Sequence, residues 1–194
     1  AKAPNDYTST SGTVTINAGS TTATVTVPII DDAVDEDDEE FLVDLSSAVN
    51  ATIADNQGIG KILDNDAAPT ISVDDVSVTE GGTLGFTVSL SAPSEKTIQV
   101  FAQTADNTAV SPADFTGGNV LLTFNPLQTA VGVSVTTIDD ALDENNETMF
   151  LNLSSAVNAT ISDNQGIGTI VDNDPVPLVT VADTSANEAD GNLV

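Results

Sequence analysis

The sequence predicts an all-β protein built from tandem immunoglobulin-like antiparallel β-sandwiches, about seven strands to each. Three observations predict it. Apolar residues alternate with period two, Gly, Pro, Asn and Asp cluster between the alternating runs, and the pattern returns at a fixed offset of 108 residues. The stretch LSSAVNATIADNQGIGKILDND, from Leu45 to Asp66, reappears as LSSAVNATISDNQGIGTIVDND, from Leu153 to Asp174. Only three of its 22 positions differ: Ala54/Ser162, Lys61/Thr169 and Leu63/Val171. The offset runs without a gap from Ala1, so Asp6-Tyr7 pairs with Asp114-Phe115 and Ile30-Asp31-Asp32 with Ile138-Asp139-Asp140.

In chain order, residues 1–66 form the C-terminal part of one repeat, with strands expected at 13–16, 23–30, 41–45 and 59–63. Residues 67–69 (Ala-Ala-Pro) are a linker, stiffened by proline. A complete repeat fills 70–174, with strands expected at 71–73, 84–90, 97–102, 120–124, 130–138, 149–153 and 167–171. Seven short strands in about 100 residues are what a sandwich of this kind needs. A second short linker follows at 175–177, and 178–194 open a third repeat, in which Glu188 matches Glu80. Residues 1–66 match 109–174 and 177–194 match 69–86, so the equivalent of 87–108 is missing from both, and the first copy, without its early strands, leaves sheet edges open. One way to close them is strand addition by another copy of the chain.

Composition narrows the function. Thirty acidic residues face three lysines, with no Arg or His, for a net charge of −27. Such a field repels nucleic acid and anionic lipid and attracts cations. The absence of Cys and His removes disulfides, thiolate metal sites and the usual zinc ligands. No apolar run reaches the ~20 residues of a spanning helix, so no membrane insertion is expected of this segment. With six Phe, one Tyr and no Trp, the cores rest on Val, Ile and Leu. Phe41, Phe115, Phe124 and Met149 read as core.

The carboxylates of the complete repeat fall at four places. These are Glu80, Asp114, the run Asp139-Asp140-x-x-Asp143-Glu144-x-x-Glu147, and Asp172-Asn173-Asp174. The loops that carry them can all lie at one pole of a sandwich. Gathered carboxylates repel by about 1 kcal/mol per pair at ~4 Å in water, and by about 4 kcal/mol at an effective dielectric of 20. A divalent cation relieves that repulsion. Calcium, which takes six to eight hard oxygens in flexible geometry, suits the set better than magnesium. The alternative at this point is a solvated acidic surface. Neither the EF-hand glycine nor an RTX-type glycine nonapeptide is present.

The order DY/DF, a Gly-containing turn and strand, IIDD-x-x-x-E-x-x-E-x-F, LS and a terminal I-x-DND resembles the Calx-β repeat. The opening ISV-x-x-x-SVTEGG (71–82) is similar too, and the likeness covers the whole chain. That family includes calcium-sensing domains of sodium–calcium exchangers and tandem copies in extracellular proteins. The resemblance implies an immunoglobulin-like sandwich with calcium at one pole, near the junction with the next domain. By motif position it implies Glu80, Asp114, Asp139, Asp140, Glu144, Glu147, Asp172 and Asp174 as ligands, joined by a backbone carbonyl near Leu142. In the earlier copy the matching acids are Asp6, Asp31, Asp32, Glu36, Glu39, Asp64 and Asp66. Two departures are visible. Asn65 and Asn173 stand where the best calcium binders have a third Asp, and Asn145-Asn146 replace Asp37-Asp38. Both departures imply fewer ions or weaker binding in the complete repeat.

Other motifs carry no chemistry. The Ser pairs 46–47 and 154–155 have no His to act as base. The paired acids recur in each repeat without an aromatic sugar platform, unlike a glycosidase site. The sequons at Asn50, Asn146 and Asn158 read as turn chemistry. The expected function is therefore non-enzymatic: a calcium-stiffened structural repeat of a long secreted or cell-surface protein, of bacterial character, serving adhesion, matrix or filament architecture. Its partners are calcium ions and neighbouring repeats. The alternatives are a regulatory calcium sensor of a membrane transporter or receptor, and a spacer presenting another domain.

Overall fold

Side chains alternate across a strand, so a run such as TLGFTVSL can bury Leu84, Phe86, Val88 and Leu90 while the residues between them face water. The computed structural model, which describes residues 1–185 and Glu188, is built from such runs, with no α-helix among the described residues. Among the described residues no helix is long and apolar enough to cross a membrane. The first unit contributes β1 (Glu39–Asp44) and β2 (Gln57–Ile62), paired antiparallel. The second contributes β3 (Thr70–Val73), β4 (Val76–Thr79), β5 (Thr83–Leu90), β6 (Ile98–Asp106) and β7 (Asn119–Phe124). It continues with β8 (Ala130–Thr136), β9 (Glu147–Val157), β10 (Thr160–Ile161) and β11 (Gln165–Val171).

Those nine strands form two sheets, β10-β3-β5-β8 and β4-β11-β9-β6-β7. Their facing sides enclose one core, with Ile71, Leu84, Phe86, Val100, Phe115, Phe124, Met149 and Leu151 essentially inaccessible to solvent. Each such side chain contributes about 1.5–3 kcal/mol on burial. The opening strand divides between the sheets: β3 lies beside β10 and β5, and β4 lies parallel to β11. The break falls at Asp74-Asp75, whose carboxylates accept the Thr87 and Ile167 backbone N–H groups (2.6 and 2.7 Å). Residues 76–79 were not expected to form a strand. Their alternation is only four residues long, and their partner lies almost a full repeat away.

In the first unit, the strands expected at 13–16 and 23–30 are absent. Their counterparts in the second unit, β7 and β8, pair with β6 and β5, and residues 1–66 contain no equivalent of either partner. Val14, Ile16 and Val25 are consequently 43–58% exposed, whereas their counterparts Leu122, Phe124 and Val133 are buried. Phe41 is half-buried rather than core, stacked on Tyr7 at 4.9 Å between ring centres. Phe115, Phe124 and Met149 are buried as expected.

The linker and the first unit each contact the second unit. Pro69 is fully buried in the second unit, its carbonyl accepting the Thr160 N–H at 3.1 Å. The acidic loop of the first unit also touches the turn between β5 and β6 through Asp35, Ser94 and Lys96.

Truncating Phe86 to Ala should destabilise the second unit by about 3–5 kcal/mol, whereas Leu42→Ala, on an exposed strand position, should cost well under about 1 kcal/mol. Urea unfolding of the full chain checks this, and comparable losses would contradict the core assignment.

Candidate metal centre

The pole where the acids gather is fixed by strand ends. Parallel pairing of β4 with β11 sets Thr79 beside Val171, and the Glu80 N–H donates to the Val171 carbonyl at 3.0 Å. Glu80 and Asp172 therefore emerge side by side. After β8, Thr137 bridges Phe115 and the Ile138 N–H donates to the Asp114 carbonyl (2.8 Å), which brings Asp114 next to Asp139 and Asp140. β9 runs antiparallel to β11 and so begins at this same end, at Glu147.

Six of the eight acids expected in the complete repeat gather in two groups of three, Glu80/Asp140/Asp174 and Asp114/Glu144/Glu147. In each, carboxylate oxygens lie within 4.8 Å of one another. Asp172 lines the cavity that the two groups share. Asp139 belongs to neither group and instead faces the Asn173 amide. In the first unit Asp6, Glu36 and Glu39 form the counterpart of the second group. Asp31, Asp32, Asp64 and Asp66 line a cavity with Asp6 and Glu36.

The loops are held by donors that the acids themselves recruit. Asp140 Oδ1 accepts the Leu142 N–H at 2.7 Å, as Asp32 Oδ1 accepts the Val34 N–H at 2.9 Å. Asp114 Oδ2 accepts the Val110 N–H at 2.6 Å, and Asp6 repeats this with Lys2. Glycine is required at position 81, where φ is +73° and an added Cβ would lie 2.9 Å from the Asp139 Cβ.

Sequence reasoning read Asn173 and Asn145-Asn146 only as missing charge. Asn173 is a bridge: its backbone N–H and Nδ2 donate to Glu80 Oε1 (3.0 and 3.2 Å), and Nδ2 also reaches Asp139 Oδ1 at 3.3 Å. Asn65 makes the matching bond to Asp31 (3.1 Å). Asn146 accepts the Asp172 N–H at 3.2 Å, as Asp38 accepts that of Asp64 at 3.2 Å. The recurrence of Asn between two Asp residues in both copies was the available signal. An amide there donates between two carboxylates, which a third acid cannot do unless protonated.

Charge crowding shows in the protonation equilibria. Burial, then hydrogen bonding with Asp114 and the charges of Asp114 and Glu144, push the Glu147 carboxyl up to about 7. Burial, then Glu95, Asp6, Asp32 and Glu39, push Glu36 up to about 7. Loss of hydration, then Asp172, Asp139 and Asp140, raise Asp174. Glu80 is lowered most by the Asn173 N–H, but loss of hydration and its acidic neighbours outweigh that and leave it raised. Asp174 Oδ2 is buried with no donor facing it. Asp174 and the nearby Glu80 can hydrogen-bond each other only when one of the two carries a proton. Hard oxygens from four chain segments, crowded and short of donors, suit a hard cation such as calcium and offer nothing to a soft one.

The Calx-beta domain profile matches residues 1–68 and again 64–175, and the chain belongs to that family. Among solved structures, the apo form of the Calx CBD1 domain aligns with a TM-score of 0.52 at 20% identity, over 56% of this chain and 100% of that one. The calcium binding domain CBD12 of CALX1.1 aligns at 0.52 and 22% identity, over 59% of this chain and 50% of that one. CBD12 from CALX1.2 aligns at 0.51 and 22% identity, over 54% and 46%. This chain thus spans about half of each CBD12 structure. At these identities the likeness is one of fold. No curated protein matches the chain.

Glu147 and Glu36 bind a proton more tightly folded than at their ordinary value of 4.5. That stabilisation is complete below the unfolded value and is lost as pH rises through about 7. In chelator, the melting temperature should therefore fall between about pH 5 and pH 8. A calorimetric scan checks this, and a melt that rises over that range would refute the crowding. Gly81→Ala should cost about 1–2 kcal/mol from its left-handed backbone alone, read as a lower urea midpoint.

Proposed function

We propose that the chain is a calcium-binding structural repeat of a long secreted or cell-surface protein, in which bound calcium stiffens the pole of each sandwich and its junction with the next. The observation that carries this is the pair of carboxylate triads at one end of the complete repeat, one of them duplicated in the first unit. Glu80, Asp140 and Asp174 would hold one ion, and Asp114, Glu144 and Glu147 a second. Asp172 lines the cavity beside them, and Asn173 orients Asp139 and Glu80. The matching ligands of the first unit are Asp6, Asp31, Asp32, Glu36, Glu39, Asp64 and Asp66. When bound, calcium supplies the positive charge that the pole lacks. The protein supplies loops already turned inward by backbone donors, so little ordering remains to be done on binding.

An array reading accounts for the near-identity of the two copies, since a mechanical element is served by repetition. It places the protein outside the cell, at a surface, in adhesion, matrix or filament architecture. The second reading, a regulatory calcium sensor of a membrane protein, is favoured by the fold likeness to the CBD12 structures. Affinity separates the two: ~10⁻⁴–10⁻³ M fits an extracellular module, and ~10⁻⁷–10⁻⁵ M fits a sensor.

Calorimetric titration of the full chain with calcium should show binding, and excess calcium should raise the melting temperature. A hundred-fold excess over Kd corresponds to about 2.7 kcal/mol. Asp140→Asn should weaken binding clearly more than Asp143→Asn, because Asp140 sits in a triad and Asp143 in none. Equal effects of the two, or an unchanged melt in excess chelator, would overturn the assignment.

A further inference from the structure

The acidic loops of the two units are copies of each other, yet one residue is treated oppositely in them. Asp143 is exposed, whereas its counterpart Asp35 is 3% exposed. Asp35 is buried because the second unit closes over it. Ser94 Oγ lies 2.6 Å from Asp35 Oδ2 and 3.0 Å from the carbonyl oxygen of the same residue. The Glu95 N–H donates to that carbonyl at 3.0 Å, and Lys96 Nζ donates to Asp35 Oδ1 at 2.8 Å. Each oxygen of the carboxylate is thus matched by a separate donor. Ser94 is itself buried and fixed, its Oγ accepting the Lys96 N–H at 3.0 Å and its carbonyl accepting the Leu127 N–H at 2.8 Å.

These contacts differ from the cation-facing ones in kind. Asp35 is in neither the first unit's triad nor the cavity beside it. In a chain with 30 acids and three lysines, one lysine is spent here. Asp35 is buried and Lys96 half-buried, so removing the lysine leaves a carboxylate stranded away from water. Lys61, by contrast, pairs with Asp38 within its own unit and at the surface.

We propose that Asp35 and the Ser94-Glu95-Lys96 turn form an inter-repeat latch, an interaction surface through which the acidic loop of one repeat grips the β5–β6 turn of the next. The partner it fits is a neighbouring repeat carrying a Ser-x-Lys turn. The latch requires no ion, so it fixes the direction of the next repeat independently of the calcium reading.

The chain has no cysteine, so spin labels can be placed at will. With Val49→Cys and Leu121→Cys, both exposed and in different units, electron–electron resonance reads the distance between units. The full chain is measured in chelator and again in millimolar calcium. The unsubstituted latch should give a narrow distribution in both, and Lys96→Met and Asp35→Asn should each abolish the narrow peak. Asp143→Asn should leave it unchanged. Urea unfolding of the second unit should be unaltered in Lys96→Met, which excludes local misfolding as the cause. A distribution that stays narrow in both latch variants, or that is equally broad in the unsubstituted chain, would overturn the proposal. Loss of calcium binding with the narrow peak retained would count only against the calcium reading.

Discussion

Like charges that the backbone forces together dominate the pole of this protein. The ends of β4, β8 and β11 and the start of β9 are fixed by pairing registers over a core that has no slack, so the acids at those ends cannot drift apart without unzipping a sheet. Each close pair of carboxylates repels, and more strongly the less water lies between the two. The chain offsets part of this with backbone N–H groups and one amide side chain. It leaves part unresolved, as the raised Glu36, Glu147 and Asp174 carboxyls and the orphaned Asp174 oxygen show. A polar end with that much unrelieved repulsion is poised for a cation, and the Calx-beta family membership agrees with that reading.

Core and pole are linked by places where two chains pass too close for a side chain. In the Gly-Ile-Gly segment of β11, a Cβ at position 166 would meet the Asp74 carbonyl at 2.5 Å, and one at 168 would crowd Leu84, Met149 and Phe86. Gly166 lets β11 lie against the switch between β3 and β4, and Gly168 leaves room for the core side chains beside it. Only then can β4 run parallel to β11 and deliver Glu80 next to Asp172. The first unit shows the converse: with no opening strands over them, Val14 and Ile16 are exposed and Phe41 is only half-buried, although all three keep the right residue types.

Much of this was legible from the residues alone. Period-two alternation located all seven of the expected strands in the second unit, because each has a buried face. The 108-residue offset and the clustered acids pointed to one pole, and the structure gathers six of the eight acids into triads there. What escaped was long-range in origin. Strand β4 depends on a partner almost a repeat distant, and the strands expected at 13–16 and 23–30 fail for want of partners, which alternation cannot register. Asn173 was read as an absent charge, since a side chain's role as donor or ligand is decided by what faces it. Asp35 looked like one more acid in a run, and only the neighbouring unit distinguishes it.

Asp38 and Lys61 form an exposed pair at 2.7 Å, and both have changed together in the second copy, to Asn146 and Thr169. Lys61 lies inside the 22-residue stretch that the copies almost share, and Asp38 lies outside it. Genetic exchange between copies within that stretch would separate the two partners and create a hybrid carrying only one of them. An exposed ion pair contributes little, while the hydrogen bond from the Asp64 or Asp172 N–H to the side chain at position 38 or 146 survives either way. Recombinant copies exchanged within that stretch would therefore fold nearly as well as their parents.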